Sequence, residues 1–255
     1  MPEVARALIR TLKDDTANIS TVRDIIAQDP ALTATLLRMA NSALFGLSRS
    51  VDTLDGAISV VGVAHIRARA LAICMANAVP FPPGLDRMEF WRSCLLSAGY
   101  AKWLAASLHM EEAQAWLTAM VLRLGELIIG QHNVALVQQI EQRPSGPGER
   151  WVRERNLLGF DEGQIMAALA RRWDVPETIA RAFDASAQPL DATPFSPLGG
   201  VVHLAALLAH PQNNTPEALG ALPAQLVYRL QLNLAQLQDS MPDPDALADA
   251  ALMPN

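Results

Sequence analysis

The sequence predicts an all-α fold. Apolar residues recur at helical spacing along most of the chain, no run alternates apolar and polar residues with the β-branched enrichment of a strand, and proline- and glycine-rich breaks divide the helical stretches. Asp29-Pro30 is a helix start with a physical basis: the Asp29 carboxylate can cap free amides, and Pro30 at the first helical position forfeits no hydrogen bond. Leu32, Leu36, Met39, Ala40 and Ala43 then share one face. Asn41 and Ser42 compete with the backbone for hydrogen bonds and suit the helix end. Gly46 and Gly62 stand where the chain turns or takes a left-handed conformation, and Thr53 can cap the helix between them.

Pro80-Phe81-Pro82-Pro83-Gly84 must interrupt any helix, because three prolines and a glycine remove amide donors and disfavour helical geometry before them. Residues 80–84 are therefore read as a linker between an N-terminal helical lobe, 1–79, and a larger helical lobe, 85–210. Within the larger lobe, Ala113, Trp116, Leu117, Met120, Val121, Leu124, Leu127 and Ile128 form the wide apolar stripe of one long central helix. Pro144 to Gly148 is a second strong loop. Asp161 followed by Gln164 fits a capping box opening a helix that carries Ile165, Leu169 and Trp173. Asp184 to Gly200 reads as a third loop. Ten of the 17 prolines lie from Pro176 onward, so residues 211–255 are read as a C-terminal extension of short helices joined by turns.

The 255 residues are 51% apolar and 18% charged with a formal net charge of −6, which excludes disorder as the main state and leaves ample length for a core. The richest apolar stretch, Ala113 to Gly130, carries Gln114, Thr118, Arg123 and Glu126, so a soluble protein without a membrane partner is expected. The N-terminus lacks the unbroken apolar centre of a secretory signal, which makes the cytoplasm the expected compartment. Cys74 and Cys94 sit in apolar helical patterns without CxxC spacing and read as core thiols. Acidic residues outnumber basic ones 26 to 20 with no Lys/Arg-rich run, which argues against a nucleic-acid partner. The five tryptophans read as core, and the pairs Arg67/Arg69 and Arg171/Arg172 as solvated faces in preference to contacts with the phosphates of a nucleotide.

Asp29 to Gly62 holds an ordered set of features: Asp29-Pro30 opening a helix, Ala40-Asn41-Ser42-Ala43 ending it, Phe45-Gly46 in the turn, then Thr53-Leu54, Ala57-Ile58 and Gly62. This segment resembles the N-terminal half of the HDOD domain family, a bacterial signalling module related to the HD superfamily of metal-dependent phosphohydrolases. Phe90-Trp91-Arg92, Ala119 to Leu127 and Arg172-Trp173-Asp174-Val175-Pro176 continue the resemblance, which extends over roughly residues 2 to 210. It implies an HDOD fold in which 85–210 is the HD-like lobe. Asp29, Pro30, Asn41, Ser42, Gly46, Gly62, Trp91, Trp173 and Pro176 are then family-motif residues with structural roles.

Catalytic HD proteins hold divalent metals with histidines and an adjacent His-Asp pair, whose lone pairs ligate the cation. The matching pair here is Leu122-Arg123, and the other ligand positions fall on Ser93 and Glu162. A guanidinium offers no lone pair and places a permanent positive charge where a cation would sit. The resemblance thus implies a non-catalytic module with no cofactor, acting through protein partners such as a diguanylate cyclase, a kinase or a response regulator. Two alternatives stay open: a sensor binding a nucleotide or phosphate ligand in a vestigial pocket near Ser93, Arg123 and Glu162, and a metal-dependent phosphohydrolase with a rearranged site. For Arg123 the residues allow either an ion pair with Glu126 or an anion-binding role.

Overall fold

The computed structural model describes residues 2–14, 18–42, 45, 47, 50–142 and 144–248. Among them every regular element is helical. The first five helices are α1 (Glu3–Leu12), α2 (Ile19–Ile26), α3 (Pro30–Ala40), α4 (Leu54–Val61) and α5 (Val63–Asn77). Asp29 Oδ1 accepts from the amides of Ala31 and Leu32, both at 3.0 Å, with Pro30 at the first position of α3. Thr53 Oγ1 caps α4 by accepting from the Gly56 amide at 3.1 Å. Asn41 does more than end α3. Its Nδ2 donates to the Val51 carbonyl at 2.8 Å and its Oδ1 accepts from the Val51 amide at 2.7 Å, so the side chain pairs with both backbone groups of Val51. Ser42 is buried beside it, whereas Ala43 and Gly46 lie outside the described residues. Gly62, at φ +86°, turns the chain through 113° between α4 and α5, a backbone state that side chains disfavour.

After the proline-rich linker, Asp86 caps α6 (Arg87–Ser107), which begins with the Phe90-Trp91-Arg92 motif. The remaining helices are α7 (Glu112–Leu122), α8 (Leu124–His132), α9 (Val134–Ile140), α10 (Glu149–Leu158), α11 (Glu162–Arg172), α12 (Glu177–Ala185), α13 (Pro197–Leu208), α14 (Ala224–Leu230), α15 (Leu234–Ser240) and α16 (Pro244–Leu247). A 3-10 helix, Pro216–Ala221, precedes α14. The capping box at Asp161 and Gln164 forms in both directions, at 3.2 and 3.1 Å. Trp173 ends α11, and Pro176 precedes the first turn of α12.

Three expectations need correction. The single central helix is two: at Arg123 (ψ −6°) the backbone tightens and the Glu126 amide donates to the Arg123 carbonyl at 3.0 Å, so α7 and α8 meet at that residue. The third loop is shorter than Asp184 to Gly200, because α12 runs to Ala185 and Ser196 caps α13 with Pro197 in its first turn. Arg69 is not on a solvated face. It is 3% exposed, since α5 packs on α1 and α7 and is covered on nearly every side.

Helix α6 is the centre of the fold, packed on α7 and α13, and helices on both sides of the linker share one core from Ala5 to Ala248. Cys74 and Cys94 lie in that core. Trp91, Trp116 and Trp151 are buried, and Trp103 and Trp173 half-buried. The stretch Glu112–His132 is long and apolar enough to cross a membrane, but most of it is buried inside the fold as in a core helix.

Candidate functional site

Where α7 gives way to α8, Arg123 turns its guanidinium into the fold. Nε and Nη2 donate to Glu126 Oε2 at 3.0 and 2.6 Å, Nη2 also donates to Glu141 Oε1 at 2.9 Å, and the plane lies 4.8 Å from the Phe90 ring centroid. Arg150, from the first turn of α10, reaches the same carboxylates from the other side. It lies 3.6 Å from Glu126 Oε2 and 3.7 Å from Glu141 Oε1, donates to Glu154 Oε1 at 3.2 Å, and grips Glu162 with both terminal nitrogens. Trp151 Nε1 adds a bond to Glu162 Oε1 at 2.9 Å, and Glu154 Oε2 accepts from the Glu162 amide at 2.8 Å. Gly125 permits this closeness, since a Cβ there would overlap the Glu162 carbonyl of α11.

Glu126, Glu154 and Glu162 are fully buried, and Glu141, the fourth carboxyl group the two arginines face, is partly exposed. Burial disfavours the anions. It pushes Glu126 up to about 7 against the opposing pull of Arg123, and Glu126 Oε1 has no hydrogen-bond partner. Burial, followed by the nearby Glu162 charge, raises Glu154 well above the carboxylate range. For Arg123 and Arg150 burial opposes the charge, but the carboxylates outweigh it and hold both guanidiniums protonated. Burial therefore favours the protonated form of Glu126 and Glu154.

A cavity of about 570 Å³ opens beside this network. Ser93, Ser97, Leu122, Arg123, Arg150 and Trp151 contribute to its wall, and Ser97 Oγ is buried without a partner. Of the three residues singled out for a vestigial pocket, Ser93 and Arg123 line the cavity; Glu162 lies behind the wall, held by Arg150 and Trp151. The pairing of Arg123 with Glu126 follows the three-residue spacing. Glu141, Arg150 and Glu154 escaped the sequence reading, and only the four-residue spacing of Arg150 and Glu154 hinted at them. The arrangement does not fit a divalent metal. The position of the expected carboxylate holds a guanidinium, and among the described residues no group of three His, Cys, Asp or Glu side chains is placed to bind one. His203 stacks on Trp151 at 5.0 Å with Nδ1 on the Ser186 carbonyl, while His210 stands at the cavity wall.

The HDOD domain family matches residues 1–189 of this chain. A solved structure from Shewanella amazonensis SB2B, named provisionally as a phosphohydrolase, superposes with a TM-score of 0.82 at 24% identity, covering 99% of this chain and 92% of that one. A second, from Marinobacter aquaeolei VT8 and named provisionally as a signal transduction protein, gives 0.80 at 21% identity over 99% of this chain and 58% of that one. An uncharacterized protein of Treponema pallidum (strain Nichols) is 23% identical over 182 residues, 70% of this chain and 35% of that protein's length. At these identities the solved structures establish the fold.

Proposed function

Because the chain belongs to the HDOD domain family, we propose that it is a non-catalytic bacterial signal-transduction module of the cytoplasm that works through contact with a protein partner, such as a diguanylate cyclase, a kinase or a response regulator. One observation carries the reading: Leu122-Arg123 replaces the metal-binding pair of the related hydrolases, and the guanidinium is locked by Glu126 and Glu141 in a closed ion-pair network. The likeness to a structure named provisionally for signal transduction supports it. The test is metal content and hydrolysis together. Protein loaded with manganese or magnesium and dialysed should hold no stoichiometric metal and should not cleave bis(p-nitrophenyl) phosphate above the protein-free rate. Stoichiometric metal with turnover would point instead to a phosphohydrolase with a rearranged site.

The cavity favours a second reading, a sensor for a nucleotide or phosphate ligand, because about 570 Å³ suits a small molecule and Arg123 and the unpartnered Ser97 hydroxyl reach its wall. This predicts a saturable thermal shift with cyclic dinucleotides that is lost in Arg123→Glu. An equal shift in that variant would remove the reading.

A further inference from the structure

After α15 the chain turns back onto α6 and touches it at three positions on one side of that helix. Trp103 Nε1 donates to Ser240 Oγ at 3.2 Å, and Arg92 Nη2 donates to Asp245 Oδ1 at 2.9 Å. Between them along α6, Leu247 lies directly on the backbone of Gly99. A Cβ at position 99 would stand 2.6 Å from Leu247 Cδ2, and the three atoms nearest to it would all belong to Leu247. The missing side chain is therefore what lets the leucine reach the helix. Asp243 Oδ1 accepts from the Asp245 amide at 2.9 Å and opens the single turn of α16 that presents Asp245 and Leu247 to α6.

This strap, residues 240–248, is lightly held. Helix α16 has four residues, none of them buried, and Leu247 is half-buried on Gly99. The Arg92 and Asp245 side chains are 44% and 84% exposed, and an ion pair so open to water stabilises little. The strap also leaves a polar group unmet. Tyr100, next to Gly99 and with its ring 6.3 Å from that of Trp103, is fully buried, and its hydroxyl has no hydrogen-bond partner among the described residues. Burial, then the charge of Asp243 in the strap, raises that hydroxyl to about 12.

We propose that the face of α6 bearing Arg92, Gly99 and Trp103 is a docking surface for a short acidic segment of a protein partner, and that residues 240–248 hold it closed in cis. The chemistry of the partner segment is that of the strap: an aspartate capping one helical turn, a second aspartate for Arg92, and a leucine two residues later for the notch at Gly99. This rests on the reading that the chain works through a protein partner, and it assigns the surface that such a partner would use.

The probe is a fluorescein-labelled peptide with the sequence of residues 238–248, titrated with the 255-residue chain and followed by fluorescence anisotropy. Leu247→Asp withdraws the cis leucine from the notch, and this variant should bind the peptide saturably. The parent chain should bind it at least about tenfold more weakly, because its own strap competes at high effective concentration. Gly99→Ala added to Leu247→Asp fills the notch with a methyl group and should weaken peptide binding about tenfold; alanine favours the helix, so the fold tolerates the change. Circular dichroism checks that each variant is folded, and Leu247→Ala replaces Leu247→Asp if that variant is not. Absence of saturable binding to the freed chain, equal affinities for parent and freed chain, or an affinity untouched by Gly99→Ala would each overturn the proposal. The titration contains no cellular partner, so its failure strikes this surface alone, whereas failure to capture any partner from lysate strikes the functional reading.

Discussion

Replacing Glu126 with glutamine removes a carboxyl group whose anion burial disfavours while leaving Arg123 a carbonyl acceptor. In the folded protein Glu126 titrates at about 7 against an ordinary value of 4.5. A carboxyl raised on folding stabilises the native state fully only below its unfolded value, and that stability is lost as pH rises through the folded one. Linkage over this window predicts that Glu126 alone lowers folding stability by roughly 2 to 3 kcal/mol between pH 5 and pH 8. Glu126→Gln has no such group, so its stability relative to the parent should improve by that amount over the same interval. A fixed offset of about 1 kcal/mol from the altered hydrogen bonding does not affect this change. Urea denaturation of both proteins at pH 5, 6, 7 and 8 gives the difference directly. Parallel stability profiles would refute the placement of a proton-retaining carboxyl group at Glu126.

Other consequences of the network and core are open to simpler tests. Glu162→Ala removes the buried carboxylate that Arg150 grips with both terminal nitrogens and should cost about 3 to 5 kcal/mol in chemical denaturation. Glu177→Ala, which breaks exposed pairs with Arg171 and Arg181, should cost under about 1 kcal/mol; equal losses would contradict the contrast in burial. Gly125→Ala should destabilise by about 3 kcal/mol, since the methyl group meets the backbone of Glu162 and cannot rotate away, and a lowered thermal midpoint would register it. Burial raises the Cys74 and Cys94 thiols to about 11 and about 12. Iodoacetamide at pH 8 should therefore label neither in native protein and both in denaturant, as counted by mass spectrometry.

Legibility in the sequence followed the range of the interactions. Asp29, Thr53 and the Asp161–Gln164 box act on amides two or three residues away, so residue type and spacing announce them. The pairing of Arg123 with Glu126 is equally local. Arg150, by contrast, meets Glu162 across twelve residues and Glu126 across twenty-four, contacts that exist only once α8, α10 and α11 pack together. Arg69 was misjudged for the opposite reason. Two arginines spaced within a helix look like a wetted face until α1 and α7 cover both sides of α5. The break at Arg123 carries no glycine or proline; it shows only in the backbone geometry and in the inward ion pairs of the side chain.

The central claim is an output delivered through a protein partner, and capture followed by reconstitution tests it most directly. The tagged protein should reproducibly enrich a cyclase, kinase or response regulator from its native lysate relative to a tag-only control, and the purified pair should form a saturable complex. Recovery of the bait alone, under conditions that preserve weak complexes, would contradict it.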